Sequence, residues 1–207
     1  MPRKKRPLDR DGGVLRDASL IVIASEDTYA VEDYFRRFRT RKVQFKVIPT
    51  EDGRSSPDDV ASRLDDFKRE VQTQPGDQFW LCIDRDHWAN SGHIKNLAQV
   101  LQHCRQAEYQ VAISNPCFEL WLLLHFEDAK PANGCNCGEI ASRLSAVAGG
   151  YDKTAVDRLP IQAAMVHDAI ARAKALDIDP SPIPESVLTR VYLILEVLLA
   201  REAIDLE

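Results

Sequence analysis

Glu26, Asp84 and Asp86 are the residues whose types and spacing point most directly to chemistry. Glu26 follows the apolar run at 19–25, and Asp84 and Asp86 follow Phe79-Trp80-Leu81-Cys82-Ile83. Along a strand, side chains two residues apart project to the same face, so Asp84 and Asp86 act together while Arg85 turns away. If the two runs are parallel strands of one sheet, all three carboxylates emerge at its carboxyl edge, where open α/β sheets bind ligands. Converging carboxylate oxygens suit a hard divalent cation, Mg²⁺ or Mn²⁺. A cation held in this way polarises a phosphoryl oxygen, activates a water, or steadies the attacking and leaving oxygens. Taken alone, Asp-x-Asp is more often a polar loop. The second acid on another strand gives it weight.

The acids meet only if the chain between them folds as alternating strands and helices. Residues 19–25 read as a first strand. Thr28 is the expected cap of a helix whose apolar face is Val31, Tyr34, Phe35 and Phe38. Residues 43–48 form a second strand. Ser56-Pro57 then opens a helix, with serine as cap and proline in the first turn, and Val60, Leu64, Phe67 and Val71 line one face. The turn Gln74-Pro75-Gly76-Asp77 leads into a third strand, 78–83. A helix near 94–106 is buried through Leu97, Val100, Leu101 and Cys104, and a fourth strand spans 109–114. This alternation predicts a parallel four-stranded sheet with right-handed crossovers, flanked by helices. A flavodoxin-like strand order would make the first and third strands neighbours and bring Glu26 to Asp84 and Asp86. Beyond the sheet, a short apolar helix is expected at 118–126 and an irregular loop at 127–138. Helices are expected near 138–148, 160–176 and 186–202, the last with Val187, Val191, Leu195 and Leu198 on one face. Residues 17–126 thus read as an α/β core, 127–207 as a helical extension packed on it, and 1–16 as a basic flexible tail.

Composition narrows the class. With 44% hydrophobic residues the chain can build a sizeable core, and its net charge of −5 argues against a uniformly basic nucleic-acid coat. The tail departs from that balance. Arg3, Lys4, Lys5, Arg6, Arg10 and Arg16 face only Asp9 and Asp11, which makes it a solvated arm or a phosphate-contacting one. The five cysteines form an odd set with no signal peptide ahead of them, which predicts free thiols and a cytoplasmic protein. The strongly apolar stretch Leu120–Leu124 falls far short of the roughly 20 residues that span a bilayer.

The block Ser114-Asn115-Pro116-Cys117-Phe118-Glu119-Leu120-Trp121-Leu122-Leu123-Leu124-His125-Phe126 begins at the end of the fourth strand. Asn115 precedes proline and is therefore extended, which places the helix boundary after it. Glu119 is either exposed or, if buried, in need of a cation or a metal. His125 reads as a packed or hydrogen-bonded residue rather than a ligand. Cys135-Asn136-Cys137 is a poor match to zinc spacings. Trp88, just past the acidic motif, packs in its loop or stacks on a base.

These motifs resemble the RloB-like family, prokaryotic proteins associated with phage defence and restriction loci. The resemblance rests on Glu26, Thr28, Tyr34-Phe35, Asp84-Arg85-Asp86 and the 114–126 block, with support from Tyr151-Asp152-Lys153 and Thr189-Arg190-Val191-Tyr192, and covers about residues 19–200. The family in turn resembles Toprim domains, the metal-dependent modules of topoisomerases, primases and OLD-type nucleases. That resemblance implies Glu26 as general acid/base or metal ligand, Asp84 and Asp86 as Mg²⁺ ligands, Glu119 as a further ligand and Lys153 as a contact to the scissile phosphate. The family commonly has glycine after the first acid. Here Asp27 stands there, leaving open which of Glu26 and Asp27 faces the metal. The implied function is a nuclease acting on DNA or RNA, tRNA among them, as an anti-phage effector with an RloA-type ATPase partner. The chain has no G-x-x-x-x-G-K-[ST] phosphate loop of its own. The alternative is a non-catalytic Toprim-like subunit of an ATPase complex. Self-association is compatible with either.

Overall fold

The computed structural model describes residues 18–38, 43–50, 53–85, 94–128 and 135–201. Asp86, Trp88 and the basic tail lie outside them. The elements are β1 (Ser19–Ser25), α1 (Ala30–Arg36), β2 (Val43–Ile48), α2 (Pro57–Glu70), β3 (Gln78–Asp84), α3 (Ile94–Ala107) and β4 (Gln110–Asn115). They continue as α4 (Glu119–Leu123), α5 (Cys137–Ala148), α6 (Ala163–Leu176), β5 (Leu188–Thr189) and α7 (Tyr192–Ala200).

The sheet order is β2-β1-β3-β4-β5, so β1 and β3 are neighbours as expected. The first four strands are mutually parallel, and β5 runs antiparallel to β4. Residues 20–24 are buried throughout because helices cover both faces of the sheet, and such strands carry continuous apolar runs. Alternate side chains enter different cores. Ile21, Ile23, Trp80 and Cys82 join a core with α1 and α4–α7. Leu20, Val22, Leu81 and Ile83 join a second core with α2 and α3.

Three expectations are corrected. The sheet has five strands, not four, and is not wholly parallel. The expected helix at 186–202 begins only at Tyr192 because the segment before it pairs with β4. The Asn115 side-chain amide donates to the carbonyls of Pro184 (3.2 Å), Glu185 (3.0 Å) and Ser186 (2.8 Å), and Arg190 N–H donates to Ile113 O (2.9 Å). Buried backbone groups need partners, and the end of β4 supplies them here. The cap of α1 is also different. Asp27 Oδ1 accepts from the N–H groups of Tyr29 (2.7 Å) and Ala30 (2.5 Å), a role expected of Thr28. The predicted cap of α2 is present, with Ser56 Oγ accepting from Asp59 N–H at 3.2 Å.

The first core holds a buried polar pair. His125 Nδ1–H donates to the Trp121 carbonyl (2.9 Å), which leaves Nε2 to accept from the Tyr34 hydroxyl (3.1 Å). Burial, the largest influence, helps pull the imidazole pKa down to about 3, and the cations Arg37 and Arg172 act in the same direction. The unfolded chain therefore takes up a proton below about pH 6.5 that the folded chain refuses, and stability falls as pH drops. From pH 6.5 to 5 this residue is expected to cost between about 1 and 2 kcal/mol. Urea unfolding at the two pH values checks it: the wild-type loss should exceed that of His125→Leu by this amount. Equal losses would rule the account out.

Candidate functional site

The carboxyl ends of β1 and β3 are tied to each other. Ser25 stands opposite Cys82, Glu26 N–H extends the ladder to Cys82 O (3.1 Å), and Glu26 Oε2 accepts from Asp84 N–H (3.1 Å). One residue further, Arg85 N–H donates to Ser114 O (2.8 Å), so β3 and β4 stay paired beyond Asp84. The end of β1 is braced from the other side. Thr50 Oγ1 and the Arg63 guanidinium both donate to Ser25 O, at 3.0 and 2.8 Å. The influence of Glu26, Asp27 and Asp84 converges near the strand ends. Burial first, then Asp84, Asp27 and Glu26, push the Cys82 thiol well above its usual range.

Glu26 and Asp27 have different tasks. Asp27 N–H donates to Ser25 Oγ (2.9 Å), Asp27 Oδ1 caps α1, and Asp27 Oδ2 receives the Lys153 ammonium at 2.7 Å. Both of its oxygens are thus engaged in holding the turn and the lysine. Asp27 forms the turn after β1 with its own side chain. Glu26, by contrast, spans from β1 to β3.

Glu119 is 6% exposed at the first position of α4. Such an acid requires partners, and both come from the segment after α5. The Tyr151 hydroxyl donates to Glu119 Oε1 (3.0 Å), and Lys153 Nζ lies 3.5 Å from the same oxygen. Burial disfavours the Lys153 charge, but Glu119, Asp27 and Asp84 outweigh it and hold the ammonium above its usual pKa. Burial and the adjacent Glu119 likewise push the Tyr151 phenol up, so it stays a hydrogen-bond donor. The expectation of a cation partner for a buried Glu119 is met by Lys153.

An open cavity of about 430 Å³ lies at this edge, lined by Glu26, Asp27, Asp84 and Lys153 together with Tyr29 and Thr154. The fold therefore gathers Glu26, Asp84 and Lys153, and Glu119 supports Lys153 from behind. Asp86 lies outside the described residues. Among the described residues, no group of three His, Cys, Asp or Glu side chains stands as a ready metal site. The anionic side chains that line this edge, Glu26, Asp27 and Asp84, are nonetheless carboxylates, which is the chemistry of a hard cation. Both His125 ring nitrogens are engaged in the core. Tyr29, Thr50, Arg63 and the Tyr151 hydrogen bond had no local signature. Tyr29 sits two residues after Asp27 in the same turn, whereas long-range packing brings Thr50, Arg63 and Tyr151.

The fold and site define an α/β protein with an acidic pair at the shared carboxyl edge of two adjacent parallel strands. The family model described as RloB-like protein matches residues 21–198, and the chain belongs to that family. No curated protein and no solved structure matches it. Among the described residues, no helix is long and apolar enough to cross a membrane.

Proposed function

We propose that this RloB-like protein is a Toprim-type, divalent-metal-dependent nuclease. It would act in the prokaryotic cytoplasm as an effector of anti-phage defence, under the control of an RloA-type ATPase. The observation that carries the chemistry is the joining of Glu26 to the Asp84 backbone at neighbouring strand ends, with Lys153 in the same cavity. Glu26 and Asp84, with Asp86, would hold Mg²⁺ or Mn²⁺. Such an ion, when bound, polarises a phosphodiester and lowers the pKa of an attacking water. Lys153 is a point charge suited to a phosphate oxygen. Glu119 and Tyr151 keep it aimed at the cavity, and Asp27 fixes the turn that presents Glu26.

The test is incubation of the purified protein, with and without its ATPase, with plasmid, single-stranded DNA and tRNA. Cleavage should require Mg²⁺ or Mn²⁺, stop with EDTA, and be lost in Glu26→Ala and Asp84→Ala. Cleavage indifferent to EDTA and to both substitutions would sink the proposal. A second reading, a non-catalytic subunit of an ATPase complex, is favoured by the way Lys153 already compensates Asp27 and Glu119. Calorimetric titration that finds no Mg²⁺ or Mn²⁺ binding would select it.

A further inference from the structure

Tyr29 stands apart from the residues that build the core. Among the described residues, it is one of three large hydrophobic side chains left exposed, at 52%, and the one that is aromatic. Ala30 and Val31, directly after it, are buried in the first core. A single exposed apolar side chain is ordinary on a protein surface. Two features make this one different. Tyr29 lines the same cavity as Glu26, Asp84 and Lys153, whereas Val147 and Ile178 do not. Its backbone is also held at both ends: its N–H donates to Asp27 Oδ1 at 2.7 Å, and its carbonyl accepts from Asp33 N–H at 2.9 Å. An aromatic ring is thus carried on a fixed base beside the acidic edge, with its surface left to solvent.

The charge of the cavity gives the ring a purpose. Glu26, Asp27 and Asp84 line it against Lys153, so the lining alone disfavours a phosphate chain. A contact that does not depend on charge can hold a nucleotide there. Stacking of a base on an aromatic face is such a contact, and it is available only to a base that has left a duplex. We propose that Tyr29 is a stacking platform for an unpaired nucleobase. The site then takes single-stranded or locally opened nucleic acid, with the stacked base beside the phosphodiester to be cut. The proposal rests on the nuclease reading and adds its substrate class.

The experiment uses a short single-stranded oligonucleotide carrying 2-aminopurine, its blunt duplex, and Ca²⁺ in place of Mg²⁺. Wild type should bind the single strand more tightly than the duplex and quench the 2-aminopurine fluorescence. Tyr29→Ala should bind the single strand between about 5- and 100-fold more weakly and lose the quenching. Tyr29→Phe and Tyr29→Trp should retain both, because the ring and not the hydroxyl carries the contact. Divalent-metal binding by calorimetry should be the same in all four proteins. If wild type cleaves in a metal-dependent way while Tyr29→Ala matches it in affinity and quenching, the stacking platform is wrong and the nuclease stands. If wild type neither binds nor cleaves either nucleic acid, both fall.

Discussion

Glu26→Gln is expected to lower metal-dependent cleavage by about 100-fold or more while leaving the fold in place. Glutamine keeps the side-chain oxygen that accepts from Asp84 N–H, so the tie between β1 and β3 survives. What is lost is the negative charge a divalent cation would need. Asp27→Ala should do the reverse. It removes the acceptor for Tyr29 and Ala30 at the start of α1 and the closest carboxylate to Lys153. Loss of a helix cap costs about 1–2 kcal/mol, and the expected fall in cleavage is less than about tenfold. Initial cleavage rates and urea unfolding of the two variants separate the roles. A large activity loss in Asp27→Ala with little in Glu26→Gln would exchange them.

The second large effect is structural. Arg190 follows β5, and its guanidinium donates to both oxygens of Asp177 (3.1 and 3.2 Å) and to the carbonyls of Ser181 (2.8 Å) and Asp179 (2.5 Å). The two side chains are only 15% and 11% exposed, and the Tyr192 hydroxyl completes the set by donating to Asp177 at 2.9 Å. Removing one partner of a buried pair strands the other, so Arg190→Ala should lose about 3 kcal/mol. Arg190→Lys should fall between, since an ammonium cannot reproduce the planar fork. Asp177→Ala combined with Arg190→Ala should recover part of the loss in a urea-unfolding cycle. A loss below about 1 kcal/mol in the single variant would show that the pair is dispensable.

The first four strands were legible from local apolar or alternating runs, and the restricted topology of parallel crossovers left the flavodoxin-like order as the expectation that β1 and β3 meet. Glu26 and Asp84 followed from that, since strand neighbours fix where strand ends meet. The fifth strand was not legible. Leu188 and Thr189 are two residues whose conformation is set by Asn115, Ser114 and the backbone of β4, far away in the chain. Val187 and Val191 kept a helical spacing, and the spacing misled. That Asp27 and not Thr28 accepts at the start of α1 depends on the geometry of the turn after β1, to which side-chain type is blind. The sequence left Glu119 either exposed or, if buried, in need of a cation or a metal, and burial at 6% exposure decides between them. That Lys153 meets this need, and pairs with Asp27 at the same time, depends on where the segment after α5 docks.

The antiparallel pairing of Leu188–Thr189 with β4 has a consequence for biosynthesis. During translation β4 leaves the ribosome well before its last partner, and its outer edge stays open until residues near 190 follow. At ordinary elongation rates that interval is on the order of 10 s. An unpaired strand edge is a template for wrong partners, neighbouring nascent chains among them. The late two-residue strand, short as it is, closes the carboxyl end of that edge at Ser114 and Asn115. Chains stalled before it should be the ones that aggregate.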